Sequence, residues 1–241
     1  MGASGVLHGR NVPALRDLFR ADAGSRPPAG DETWDAIPPV WSGGLADRPR
    51  LALVFINPTA GNQAARDGWP AEYRAPHLGR HRMWDFLTGC GLIPRLIVPP
   101  DGEWTLGVAR NVCESAAYAG LYVTNLVKAC RTTAAMPTAR YARGWLPLLR
   151  EELGIVDPER VVTMGGLVTS LLLGKPFRVG DAWRHLETTR TVLELPYCHP
   201  GCEPRGTGGG CLRIVPSYFP SGRGVPARAR AIISMLAETS G

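Results

Sequence analysis

The amino-acid sequence predicts an α/β fold with three layers, αβα, in which the middle layer is a four-stranded parallel sheet. Runs of apolar, strand-forming residues occur at 51–56, 121–124 and 160–164. Each run is too short for a helix and nearly continuous in apolar character, as expected for strands covered on both faces. Stretches with helical character separate the runs, which indicates parallel strands joined by crossover helices.

The first predicted strand ends at Asn57, which is followed by Pro58 and a loop of small residues. Ligands of open α/β sheets bind beyond the carboxyl ends of the strands, so Asn57 lies where a site is expected. The alternative is an ordinary strand exit, in which Asn and Pro serve only as turn residues. A polar loop at 63–80 carries Trp69, Tyr73 and His77, and a helix is predicted over 81–89.

The chain divides into an arm and a domain. Residues 1–48 predict an N-terminal arm, with an amphipathic helix at 12–20 and then a stretch rich in Gly, Pro and Asp. The main domain covers 49–241. Residues 93–118 are a candidate insertion within it, with a helix near 108–118.

The second half of the chain continues the alternation of strands and helices. The second strand runs into Asn125, a helix is predicted over 141–153, and the third strand meets a helix that reaches residue 173. A fourth strand is predicted at 191–195. It leads into the polar cluster YCHPG at 197–201, and a closing helix is predicted over 225–237.

Composition narrows the class of protein. The chain has 241 residues, 44% of them hydrophobic, which is enough for a core of its own. A formal charge of +6 favours a polyanionic partner. No window has the 18 apolar residues of a membrane span, and the N-terminus lacks the apolar core of a signal peptide. We therefore expect a cytoplasmic monomer that does not enter membranes.

The six cysteines predict neither a disulfide framework nor a metal site. Their spacing is irregular, and without an export signal they are expected to be reduced. Cys198, His199, Cys202 and Cys211 offer four zinc ligands within a short span. Neighbouring side chains at a strand end point to opposite faces, however, so Cys198 and His199 do not suit one ion.

Asn57, Asn125 and His199 each follow a predicted strand, so they are expected to converge at one edge of the sheet. Four short motifs occur in order along the chain: INP at 56–58, VTNLVKACR at 123–131, VVTMG at 161–165 and HPG at 199–201. Together they resemble the uracil-DNA glycosylase superfamily. INP is similar to the first motif of its mismatch-specific and single-strand-selective branches. The runs VTNLVKACR at 123–131 and VVTMG at 161–165 resemble strands of the thermostable branch, and HPG at 199–201 resembles the His-Pro-Ser of the DNA-inserting loop.

The resemblance implies hydrolysis of an N-glycosidic bond on a base flipped out of DNA. Asn57 would orient a water toward C1′ of the sugar. His199 would donate a hydrogen bond to the uracil O2 as negative charge grows on the leaving base. Asn125 would recognise the base, with its amide N–H₂ on O4 and its carbonyl on N3–H.

Several positions depart from the family pattern. RAPHLGR at 74–80 puts His77 where the family stacks a Phe on the base, with Trp69 and Tyr73 as rivals for that role. An imidazole stacks less well than a phenyl ring and can ionise, which leaves the preferred base open. Residues 1–89 contain no cysteine, so the iron–sulfur cluster of the thermostable branch is not expected.

The candidates for contact with DNA are basic or flexible positions near these motifs. The inserting loop lacks the family's leucine wedge, and Arg205 would fill or brace the vacated stack. The full set is Gly201, Arg205, Arg80, Arg82 and Lys128. Two alternatives stay open: a DNA-binding protein without turnover, because the first motif lacks a carboxylate, and an N-glycosidase of free nucleosides or nucleotides.

Overall fold

A five-stranded sheet of mostly parallel strands forms the centre of the fold. The structure is a computed structural model. It describes residues 14–15, 17–19, 21, 32–33, 48–58, 68–70, 73, 77–79, 81–93, 104–131, 136–197, 212–220 and 225–239. The described strands are β1 (Glu32–Thr33), β2 (Leu51–Phe55), β3 (Leu121–Asn125), β4 (Cys130–Arg131), β5 (Arg160–Met164), β6 (Leu195–Tyr197) and β7 (Leu212–Ser217).

The strand order in the main sheet is β3-β2-β5-β7-β6. The first four strands run parallel to one another, and only β6 is antiparallel to its neighbour. We call the edge at which the four parallel strands end the carboxyl edge. The chain leaves β2 for β3 on one side and then crosses to β5 on the other, so this edge contains the reversal of strand order at which α/β proteins bind ligands.

The described helices are α1 (His81–Gly89), α2 (Leu106–Tyr118), α3 (Ala139–Gly144), α4 (Leu146–Val156), α5 (Gly166–Leu173), α6 (Val179–Thr189) and α7 (Pro226–Glu238). They cover both faces of the sheet. Alternate residues of β2 show the division: Leu51, Leu53 and Phe55 pack with α1, α2, α6 and α7, whereas Ala52 and Val54 pack with α3, α4 and α5. We call these the first and second faces.

The predicted fold class is confirmed in its coarse form, an α/β sheet flanked by helices. The predicted count of four strands is not confirmed, and the position of the last strand was wrong. The structure has five strands in the main sheet, and the fourth parallel strand is β7 rather than residues 191–195. Near the predicted position lies only the three-residue β6, which runs the other way. The predicted second and third strands coincide with β3 and β5.

One helical prediction needs correction, and the helix predicted near 108–118 is confirmed as α2. The helix predicted over 141–153 is two helices, α3 and α4, separated at Trp145, with Pro147 in the first turn of α4 where a missing N–H costs nothing. Within the candidate insertion at 93–118, the described helix α2 buries Ala109, Val112 and Ala116 in the core of the first face. This helix is therefore part of the central fold.

The described parts of the arm at 1–48 contact the domain. Leu15 and Phe19 are buried in the core of the second face, and β1 pairs with β4 in a separate two-stranded ribbon.

Strand β7 has different neighbours along its length. Its first three residues pair with β6, and the pairing ends at Ile214 opposite Leu195. Pro216 lies beyond that point and is buried, with Thr163 of β5 as its partner on the other side. None of the helices in the part of the chain described here has the length and apolarity needed to span a bilayer.

Candidate functional site

The carboxyl ends of β2 and β3 bring Asn57 and Asn125 to the same edge of the sheet. Phe55 is the partner of Asn125 in the parallel register. The pairing extends beyond the strands, because the N–H of Leu126 donates to the Phe55 carbonyl at 2.8 Å and the N–H of Val127 donates to the Ile56 carbonyl at 2.9 Å. The backbone therefore fixes where both asparagines leave the sheet.

Asn57 is partly exposed, and its amide is oriented by a local contact. Its Nδ2 donates to the Pro58 carbonyl at 3.2 Å. The Asn57 Oδ1 makes no hydrogen bond to any residue that the structure describes. The donor of this side chain is thus engaged, while its acceptor is available to a water or a ligand.

Asn125 is buried beside His77. The two side chains are 4% and 7% exposed, and Asn125 Nδ2 lies 3.1 Å from His77 Nε2. Asn125 Oδ1 is buried and, within the described part of the chain, has no hydrogen-bond partner. A buried acceptor without a partner carries a free-energy penalty of about 1–3 kcal/mol, which a ligand with a matching donor would relieve.

The His77 ring belongs to an aromatic cluster with Phe55 and Phe219. The rings of Phe55 and His77 are 4.9 Å apart between centroids and tilted by 40°, and Phe219 meets Phe55 edge-on at 5.9 Å. The indole N–H of fully buried Trp84 donates to the His77 carbonyl at 2.8 Å, which fixes the backbone of the loop that carries His77.

Sequence reasoning missed Phe219 because it follows β7, a strand that was not predicted. The apolar pair Ile214-Val215 was the available signal, but Pro216 within the run argued against a strand.

A buried ion pair lies behind Asn125, on the second face. Glu152 is fully buried and accepts hydrogen bonds from Lys128 Nζ, from the Tyr122 hydroxyl at 2.6 Å and from Thr124 Oγ1 at 2.6 Å. Lys128 Nζ also donates to the backbone carbonyl of Asn125. Burial, and then the Glu152 carboxylate, raise the pKa of Tyr122 well above its usual range, so this hydroxyl keeps its proton. The network anchors the backbone from which the Asn125 side chain projects.

The prediction that Lys128 contacts DNA is wrong. The side chain is 3% exposed, its ammonium is paired with Glu152, and the Phe19 ring lies 5.6 Å from its Nζ. The chemical reason is that the ammonium is already neutralised in the interior, so it has no access to a phosphate.

Tyr73 and Trp69, the rival stacking residues, both pack against the hydrophobic core of the first face. Tyr73 is 6% exposed, and the Arg110 guanidinium lies 5.8 Å from the centre of its ring. Arg82 is exposed on α1. Of the predicted stacking candidates, His77 is the one that the structure places against Asn125.

The expected convergence of three strand ends holds for two of them. Tyr197, at the carboxyl end of β6, pairs with Leu212 at the start of β7. Because β6 is antiparallel, its carboxyl end lies at the opposite edge of the sheet from Asn57 and Asn125, and the reason for grouping His199 with them was wrong. His199, Gly201, Arg205 and Arg80 lie outside the described residues, as do the cysteines considered with His199 for zinc.

The described site therefore consists of two strand-end amides and a histidine, with Phe55 against the histidine and Phe219 against Phe55. It has the hydrogen-bonding groups to recognise a flat, polar ring and to hold a water molecule near it. No protein-family model matches the chain, and a search of curated proteins returns no significant match.

Proposed function

We propose that the chain is a DNA glycosylase that hydrolyses the N-glycosidic bond of uracil, or of another deaminated base, flipped out of DNA for base excision repair. The observation that carries the proposal is the buried Asn125 Oδ1, an acceptor without a partner among the described residues, at the same sheet edge as Asn57. Uracil offers a donor at N3 that fits this acceptor. Its O4 is an acceptor that fits the amide N–H of Asn125 not directed at His77.

Asn57 supports the hydrolytic half of the proposal. With its Nδ2 on the Pro58 carbonyl, its Oδ1 is available to accept a hydrogen bond from a water beneath the sugar. The water oxygen would bond to C1′ while the bond from C1′ to the base nitrogen breaks. The electron pair of that broken bond would leave with the base, and the proton that the water loses would end on the released base. An amide is a weak base, so the reaction would depend on a dissociative, oxocarbenium-like sugar and on stabilising the anionic base.

The polar and aromatic surroundings suit an extruded base. Phe55, His77 and Phe219 supply rings that can contact its faces or edges, and a buried site favours hydrogen bonds that water does not compete for. The net charge of +6 and the exposed Arg82 favour binding to a DNA backbone. His199 lies outside the described residues, and its hydrogen bond to the uracil O2 stays a prediction of the resemblance.

The test is incubation with oligonucleotides that each contain one uracil, hypoxanthine, xanthine or ethenocytosine, in single-stranded and duplex form. Abasic sites would be scored as alkali-labile cleavage, with Asn57→Ala as the matched protein control. The proposal expects cleavage at one or more of these bases by the wild type and little by Asn57→Ala. DNA binding without abasic sites would instead support a DNA-binding protein without turnover, and release of bases from free nucleosides alone would support a nucleosidase.

A further inference from the structure

The contact between His77 and Asn125 controls which end of an amide faces a ligand. A side-chain amide carries an acceptor on one branch and donors on the other, so the branch that faces His77 determines which branch is left over. In this structure Nδ2 faces His77 Nε2, and Oδ1 is left without a partner in the described part of the chain.

This orientation requires a particular form of the imidazole. A nitrogen that receives a hydrogen bond from Nδ2 must have no proton of its own, so the ring proton belongs on His77 Nδ1. If the proton were on Nε2, two N–H groups would oppose each other, and the amide would have to turn over. The left-over branch would then be a donor, and the site would suit the opposite kind of base.

Both partners are held so that neither can withdraw from the contact. The His77 carbonyl accepts from the buried Trp84 indole, and the imidazole packs against Phe55. The Asn125 backbone is paired with Phe55 on one side, and its carbonyl accepts from Lys128. The choice of amide orientation is therefore coupled to the position of the proton on His77.

We infer that His77 is a positioning residue that selects the class of base. By holding Nδ2, it presents Oδ1 and favours rings with an N–H at that position, such as uracil, thymine, hypoxanthine and xanthine. Cytosine and adenine, which have an unprotonated ring nitrogen there, would leave two acceptors facing each other. This assignment to bases in DNA rests on the proposed function, whereas the preference for a ring N–H applies equally to free bases.

The test compares His77→Phe, which keeps a ring against Phe55 but has no nitrogen, with wild type and with His185→Phe as control. His185 lies on α6 with its Nε2 3.3 Å from Thr191 Oγ1, and α6 contacts β7, which two strands separate from β3 and Asn125. Binding of 1-methyluracil and 1-methylcytosine, and excision of uracil and cytosine from DNA, would be measured for each protein. An unpaired buried polar group changes such a ratio by roughly tenfold to a hundredfold. We expect a preference of that size for uracil in wild type and in His185→Phe, and its loss in His77→Phe.

A second measurement does not require the variant to fold. Long-range proton–nitrogen correlation spectra of the wild type at alkaline pH distinguish the two imidazole tautomers, and we expect the proton on Nδ1 of His77. A proton on Nε2, or an unchanged preference in a folded His77→Phe, would overturn the inference. If no base is excised but the binding preference disappears in His77→Phe, the inference stands and the glycosylase proposal fails. If uracil is excised from DNA but folded His77→Phe keeps the wild-type preference, the glycosylase proposal stands and the inference about His77 fails.

Discussion

The buried pair of Lys128 and Glu152 gives the sharpest prediction of stability. Glu152→Leu replaces a fully buried carboxylate by an apolar side chain and leaves the Lys128 ammonium, 3% exposed, without its counter-charge. Removing one partner of a buried ion pair costs about 3–5 kcal/mol of unfolding free energy. For a protein of this size that corresponds to a fall in melting temperature of roughly 6–20 °C, at about 2–4 °C per kcal/mol.

The double variant separates the charge effect from a packing effect. Lys128→Met with Glu152→Leu removes both charges, and replacing a buried pair by apolar residues is often nearly neutral. The Tyr122 and Thr124 hydroxyls lose their acceptor in the single and in the double variant alike, at about 1–3 kcal/mol each, so the two variants differ by the unpaired Lys128 ammonium. We therefore expect the double variant to be more stable than Glu152→Leu alone.

The assay is urea and thermal unfolding followed by tryptophan fluorescence, for which the chain supplies seven tryptophans. Glu151→Leu is the matched control, because Glu151 precedes Glu152 on α4 but is exposed, and a surface substitution changes stability by only about 0.5 kcal/mol. A loss below about 1 kcal/mol for Glu152→Leu, comparable with the control, would refute the argument that the buried charge depends on its partner.

Further predictions concern chemistry and pH. Asn57→Ala should lower single-turnover excision by about a hundredfold, or ~3 kcal/mol, while DNA binding in a gel-shift assay stays near wild type; an unchanged rate would remove Asn57 from the mechanism. Asn125→Asp should lose most excision of uracil, because a carboxylate offers O4 an acceptor instead of a donor, and should gain slow excision of cytosine. Retained uracil activity would show that Asn125 does not recognise the base. DNA affinity should fall as the salt concentration rises. In a plot of log binding constant against log salt concentration, Arg82→Gln should reduce the magnitude of the slope by about one. An affinity independent of salt would favour a small-molecule substrate. Burial, followed by Glu114, raises the pKa of the Cys113 thiol from 9.0 to about 12. The Cys113 thiol therefore ionises at a lower pH in the unfolded chain than in the folded protein. The free energy of unfolding that is present below pH 9 should fall by about 1.4 kcal/mol per pH unit between pH 9 and pH 12. Urea midpoints of Cys113→Ala that fall as steeply as those of the wild type would contradict this cause.

The strands that carry Asn57 and Asn125 were predictable because a continuous apolar run of strand length, bounded by turn residues, is typical of a strand covered on both faces. Parallel pairing of β2 and β3 then places both asparagines at one edge of the sheet, and the structure gives the register, with Phe55 opposite Asn125. Phe219 was not predictable in the same way. It follows β7, in which Pro216 and the exposed Arg213 interrupt the apolar run and argue against a strand.

The direction of a three-residue strand leaves no trace in its own sequence, so the carboxyl end of β6 was assigned to the wrong edge. The burial of Lys128 against Glu152 could not be predicted from the sequence either. Its partner Glu152 is 24 residues away on a helix, and nothing local distinguishes it from the exposed Glu151 beside it. Contacts between elements decide whether a lysine meets solvent or a buried carboxylate.

The proline in β7 has a consequence for how this sheet ends. The Gly165 N–H donates to the Ser217 carbonyl, so the backbone polar groups of Ser217 point toward β5. Those of the preceding Pro216 point to the opposite side, where the pairing with β6 has already ended at Ile214. Any other residue there would point an N–H to the side on which β7 has no strand partner among the described residues. That N–H would be buried without a partner or available to a strand of a second molecule. Proline has no such group. The far half of β7 can therefore be covered without a ladder of hydrogen bonds, and it offers no donor there for edge-to-edge self-association.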